Sequence, residues 1–163
     1  MKQEDYGDRF PDHLLEQYKL FVEMADRVSA RRGQTNRFYI TLLTGILVLL
    51  SAVVNTDLFC EIQTFMLLVV SILSLMLCLV WYMNIYSYRQ LNSCKFKVIH
   101  EMENQLPFSC YDVEWDFLGR GKDSNRYRQL TRVEQYVPVI LAVPYILIVL
   151  YIISVLLISN YST

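Results

Sequence analysis

The chain has 163 residues, 54% of them hydrophobic and 19% charged, with 15 Lys and Arg against 16 Asp and Glu and a net charge of -1. That length allows one compact unit, and the bunching of the apolar residues into three uncharged runs excludes an ordinary soluble domain. The net charge points to no class of partner, but the placement of the charges along the chain is informative.

The first 36 residues are polar and charged and contain no apolar core of signal-peptide length, so the first span is expected to stay in the mature protein. Within them, Asp12 to Arg32 reads as an amphipathic helix. Asp12 is the expected N-cap, and Leu14, Leu15, Tyr18, Phe21, Val22, Ala25 and Val28 recur at helical spacing. Arg27, Arg31 and Arg32 crowd its C-terminal end, where the helix dipole and a membrane surface both favour positive charge. Gly33 marks a break or a kink, and Arg37 is placed to snorkel at the inner interface.

Phe38 to Val54 is an uncharged run of 17 residues, and Thr64 to Ile85 is another of 22. At ~1.5 Å per residue both can cross a ~30 Å hydrocarbon core, the first only just. The connection Asn55 to Gln63 is too short for the crossover of a parallel α/β unit, so the pair predicts a helical hairpin in lipid. A helical stripe of Tyr88, Leu91, Val98, Ile99, Met102 and Leu106 carries the second helix on to about Leu106, where Pro107 stops it. Beside the N-terminal helix, this extension would complete a small helical bundle.

From Phe108 to Leu130 the chain reads as irregular or as short helices, with Asp112 capping a turn through Trp115 and Phe117 that ends at Gly119. Thr131 and Glu134 have capping-box spacing at the start of a third helix. Its uncharged run, Val137 to Ile158, is again 22 residues, and Pro138 and Pro144 predict a bend in it.

The fold class that follows is an all-α integral membrane protein. It has three transmembrane helices, an amphipathic N-terminal helix and an extension of the second span. Four segments divide it: 1–36, the hairpin with its extension at 37–106, a basic linker at 107–135, and the third span at 136–163. All 15 Lys and Arg lie before the first span or between the second and third, so the positive-inside rule puts the N-terminus and the linker in the cytoplasm and the C-terminus outside. Of Cys60, Cys78, Cys94 and Cys110, only Cys60 would then face an oxidising compartment, and a disulfide within one chain is not expected.

In the first span Arg37, Thr41, Thr44, Val48, Ser51 and Asn55 are spaced 4, 3, 4, 3 and 4 and share one largely polar face. In hydrocarbon such a face turns toward protein or water. Two readings stay open: a pore lining, or hydroxyls bonded to their own backbone and to a neighbouring helix. Ser71, Ser74 and Cys78 form a second, weaker face with the same two readings. No Asp, Glu, Lys, Arg or His lies within a span, which argues against a proton-coupled carrier, and three spans hold no inverted repeat. One copy cannot enclose an aqueous path, so a conducting form must be a homo-oligomer, most simply a ring with the first span innermost.

Arg120, Lys122, Arg126, Arg128 and Arg132, with Arg27, Arg31 and Arg32, are candidates to bind an anion such as a nucleotide, a single-stranded oligonucleotide or a lipid headgroup. The alternative is that they only hold the linker inside. GRGKD lacks the P-loop pattern, and no glycine-rich cofactor fingerprint or nucleophile elbow occurs. His100, Glu101 and Glu103 miss the zinc-binding HExxH spacing, His13 and His100 read as surface residues, and Asp112, Glu114 and Asp116 read as a solvated face. Neither a cofactor, nor a metal, nor catalysis is expected.

Three stretches carry a resemblance: LLEQYKLFVEMADRVSARRGQTNRFYITLLT (14–44), SYRQLNSCKFKVIHEMENQLPFSCYDVEW (87–115) and LGRGKDSNRYRQLTRVEQYVP (118–138). They resemble the small bacterial membrane proteins of anti-phage defence loci related to the SLATT group, with a third span where SLATT proteins have two. The resemblance implies an inner-membrane effector that oligomerises and depolarises the bilayer when a partner, often a nucleotidyltransferase, changes a nucleotide signal. The expectation is therefore a ligand-gated pore of antiviral defence lined by Thr41, Thr44, Ser51 and Asn55. The alternative function is a non-conducting adaptor that anchors a soluble partner.

Overall fold

The computed structural model describes residues 6–54, 60–121, 127 and 130–161. Its elements are α1 (Phe10–Val54), α2 (Cys60–Glu103), α3 (Cys110–Phe117), a 3-10 turn (Gly119–Gly121), α4 (Leu130–Glu134) and α5 (Tyr136–Tyr161). The chain forms two compact units, Met1–Gly33 with Ser87–Arg132, and Gln34–Tyr86 with Val133–Thr163. Among the described residues three helices are long and apolar enough to cross a membrane, as the uncharged runs predict.

Gly33 neither breaks nor ends α1, which is helical from Phe10 to Val54. One glycine inside a helix costs only ~1 kcal/mol, too little to interrupt an element held along its length by packing. Asp12 likewise lies within the first turn rather than at the cap. At its far end α2 closes through Gln105 N–H to Met102 O and Leu106 N–H to Glu103 O, and the helix stops at Glu103 before Pro107.

In the first unit, the N-terminal part of α1 packs on the C-terminal part of α2. Ala25 and Ile99 are buried, and the Lys95 ammonium lies 5.0 Å from the Phe21 ring centre. Asn92 Nδ2 donates to Ser29 Oγ at 3.4 Å. The expected small bundle is therefore present. Its pivot is Glu103, a carboxylate only 1% exposed. The carboxylate accepts from the Tyr18 hydroxyl at 2.9 Å, the Tyr111 N–H at 2.9 Å and the Asp112 N–H at 3.2 Å.

The last two donors open α3, so Glu103 satisfies the N-terminal amides of that helix from outside it. Ser109, at the N-cap position, gives no side-chain cap, and Asp112 is a residue of the helix instead of its cap. Burial, followed by the bond to Glu103, holds the Tyr18 phenol well above its ordinary value. Burial raises Tyr111 as well, with Asp26, Glu114 and Glu103 adding to the effect.

The second unit is a bundle of the three spans. Its core is Leu43, Leu50, Cys78, Trp81, Ile85 and Tyr145, with Tyr39, Ile46, Leu47, Val70 and Leu141 packed against it. Trp81 stacks on Tyr39 at 5.5 Å and donates Nε1–H to Asn36 Oδ1 at 2.9 Å, while Asn84 Nδ2 donates to the Tyr39 hydroxyl at 3.2 Å. Every polar atom in this aromatic cluster's bonds thus finds its partner on the facing helix, as an apolar surrounding demands.

Candidate functional site

A helix turns ~100° per residue, so α1 in the second unit presents distinct sides. Leu43, Ile46, Leu47 and Leu50 face the bundle core. Arg37, Thr41, Thr44, Val48 and Ser51 are all exposed, with Val48 at 66%. A third side carries Phe38, Gly45, Leu49 and Ala52, likewise exposed. Among the described residues the other two spans expose mostly apolar side chains, such as Phe65, Met66, Ile72, Leu73 and Met76 on α2 and Val139, Ile140, Val143 and Leu147 on α5, with Tyr151 and a single hydroxyl at Ser154, bonded to Tyr151 O at 2.7 Å, exposed near the end of α5. The structure thus leaves uncovered the larger of the two polar sides that the spacing singles out. Asn55 lies outside the described residues.

Two of the three hydroxyls on that side bond the helix's own backbone. Thr44 Oγ1 donates to Ile40 O at 2.7 Å and stands 3.2 Å from Thr41 O, and Ser51 Oγ donates to Val48 O at 2.7 Å. Self-bonding and outward exposure therefore coexist: the protons point to the backbone, and the Thr44 oxygen keeps lone-pair capacity for water or a neighbour. Arg37 makes no hydrogen bond or ion pair among the described residues.

The second hydroxyl face resolves the other way. Ser71, Ser74 and Cys78 are buried in the bundle at 0%, 1% and 4% exposure, and Ser74 Oγ donates to Val70 O at 2.8 Å. These small side chains admit close helix approach.

The candidate anion ligands are placed unevenly. Arg27 is exposed and pairs with Glu23 one turn earlier at 2.7 Å. Arg31 is exposed and Arg32 half-buried on the same helix, and Arg132 is exposed. Arg120 sits at φ 50 between Gly119 and Gly121, each at φ 66, a left-handed turn that returns its guanidinium to α3. There its Nε hydrogen-bonds Asp116, and its Nη2 lies 3.5 Å from Asp112. The bond from Arg120 holds the Asp116 carboxyl below the usual range, and the same bond raises Arg120. Lys122, Arg126 and Arg128 lie outside the described residues. Trp115 and Tyr127 meet edge to face at 6.3 Å, which places Tyr127 against α3.

Two groups escaped the sequence reading, Glu103 and the Asn36–Trp81–Tyr39–Asn84 cluster. Glu103 lies eight and nine residues before the amides it serves, outside any capping signature. The cluster had a signal in Asn36 and Asn84, polar residues just outside the first span and at the inner end of the second, beside interfacial aromatics.

Residues 15–154 match the family model described as the octameric membrane protein family (8xMP). No curated protein and no solved structure matches the chain.

Proposed function

The chain belongs to the octameric membrane protein family, and from that premise we propose that it forms a ring-shaped membrane pore lined by Thr41, Thr44, Val48 and Ser51. A homo-oligomeric membrane protein with three spans must cover or wet every exposed polar side. The observation that carries the reading is the outward polar side of α1, set between a core side and an apolar side that holds Gly45. In a ring, a first helix with three sides can touch its own bundle, the next copy and the lumen at once. The positive-inside distribution supports a cytoplasmic position for the N-terminal segment and linker and an inner-membrane location.

Control by a nucleotide or short oligonucleotide on the basic linker and the arginines of α1, in an antiviral setting with a partner nucleotidyltransferase, belongs to the same proposal. It is supported by the clustered Lys and Arg and by the resemblance of the three stretches. Such a ligand acts only by binding open and closed assemblies with different affinity. The direct test is planar-bilayer recording of the purified oligomer. Thr44→Leu with Ser51→Leu is expected to abolish current while the oligomer persists, and unchanged conductance removes the assignment.

A second reading, a non-conducting adaptor, is favoured by apolar side chains exposed in the first unit. Leu20, Phe108 and Phe117 are 57%, 64% and 78% exposed. Stoichiometric co-purification of a soluble partner with silent bilayers would select it.

A further inference from the structure

Resting on the pore reading, we infer that the pore prefers anions and that Arg37 sets the preference. Arg37 is the sole Lys or Arg in the second unit's sequence, 34–86 and 133–163. It lies on the same side of α1 as Thr41, Thr44, Val48 and Ser51, one turn before Thr41, and it is exposed. No carboxylate neutralises it: among the described residues it makes neither an ion pair nor a hydrogen bond. An unpaired cation at an apolar boundary is costly unless water solvates it, and a water-filled mouth supplies that water.

Two features of the lining pull in opposite directions. Thr44 and Ser51 donate their protons to Ile40 O and Val48 O, and the lone-pair capacity left on the exposed Thr44 oxygen by itself suits cations. That is a partial charge of a dipole whose positive end is already satisfied. Arg37 contributes a whole charge from each copy, and a symmetric ring repeats it once per subunit, eight times in the octamer for which the family is described. Rings of arginine or lysine make pores that select anions, because a low-dielectric wall focuses their combined potential into the lumen. The full charge prevails over the hydroxyl dipoles. The lining then acts as a neutral, wettable path behind an arginine filter, and the conducted class is small inorganic anions such as chloride.

The experiment is the reversal potential of the full-length, detergent-purified oligomer in planar bilayers under a potassium chloride gradient. The unmodified protein, Arg37→Lys, Arg37→Gln and Arg37→Glu are compared, each checked for oligomer size. The inference expects a chloride-to-potassium permeability ratio several-fold above one, kept in Arg37→Lys, falling toward one in Arg37→Gln and inverting in Arg37→Glu. Currents that prefer potassium, or a chloride preference indifferent to Arg37→Gln, overturn the role of Arg37 and leave the pore standing. Silence from every intact oligomer overturns the pore reading and this inference with it.

Discussion

The Tyr145 hydroxyl donates to the Leu43 carbonyl oxygen at 2.6 Å, joining the last span to the first across 102 residues in a site where both side chains are fully buried. Leu43 is a helical residue whose carbonyl already serves its own helix, so the phenol takes up the second lone pair. Tyr145→Phe keeps the ring and loses the bond, and is expected to cost about 1 kcal/mol. Tyr145→Ala leaves a cavity and should cost about 3–5 kcal/mol. Thermal unfolding in detergent, read by near-ultraviolet circular dichroism, separates the two.

The bond from Tyr18 to Glu103 gives the first unit a dependence on pH. The Glu103 carboxylate holds three donors in a nearly dry site, so Glu103→Ala should cost about 3 kcal/mol and fray α3, while Glu103→Gln should cost less. Tyr18, which donates to it, has its proton held more tightly in the folded chain than at its ordinary value of 10.0. A group raised in this way contributes stability in full below its unfolded value and loses it as pH climbs beyond. Unfolding midpoints should therefore fall above about pH 10, more steeply in the parent than in Tyr18→Phe. Equal slopes would remove the role of Tyr18.

Gly45 offers a test of assembly apart from folding. A Cβ added there meets nothing within 4 Å in a single copy. Leucine is also the better helix former by up to ~1 kcal/mol. Gly45→Leu should therefore leave the chain helical and inserted, yet shift the oligomer to smaller species on size-exclusion chromatography with light scattering. An unchanged oligomer would show that this side of α1 meets lipid.

Arg120 is engaged by Asp116 and Asp112, so its guanidinium is only partly available to a ligand. Asp112→Asn with Asp116→Asn should free it and strengthen salt-sensitive binding of a nucleotide by about 3-fold or more, measured by fluorescence anisotropy. Weaker binding would mean that the carboxylates hold the turn in a shape the ligand needs.

The spans were legible because uncharged runs of bilayer length have few other uses, and the polar side of α1 because its 3 and 4 spacing needs only the helical period. Which way a hydroxyl stripe faces was not legible. Thr44 with Ser51 and Ser71 with Ser74 have comparable patterns, yet the first pair is exposed and the second buried. Spacing fixes which residues share a side of a helix, and only the partner helices decide which side is covered. Gly33 misled for a related reason: a local preference of ~1 kcal/mol yields to packing along the rest of the helix. Glu103 was invisible because the amides that it caps come close only once the chain has turned back after Pro107.

The outward hydroxyls also bear on how the protein is made. With Thr41, Thr44 and Ser51 unshielded and a run of only 17 uncharged residues, the first span is the least apolar of the three and a reluctant guest of lipid by itself. The strongly apolar second span follows after a connection of nine residues, and Leu43 and Leu50 have a ready surface on it and on α5. Insertion should therefore proceed by pairs, the translocon releasing the first span together with the second. The side of α1 that carries the exposed hydroxyls would then make the first span the one most dependent on a partner helix for leaving the insertion machinery.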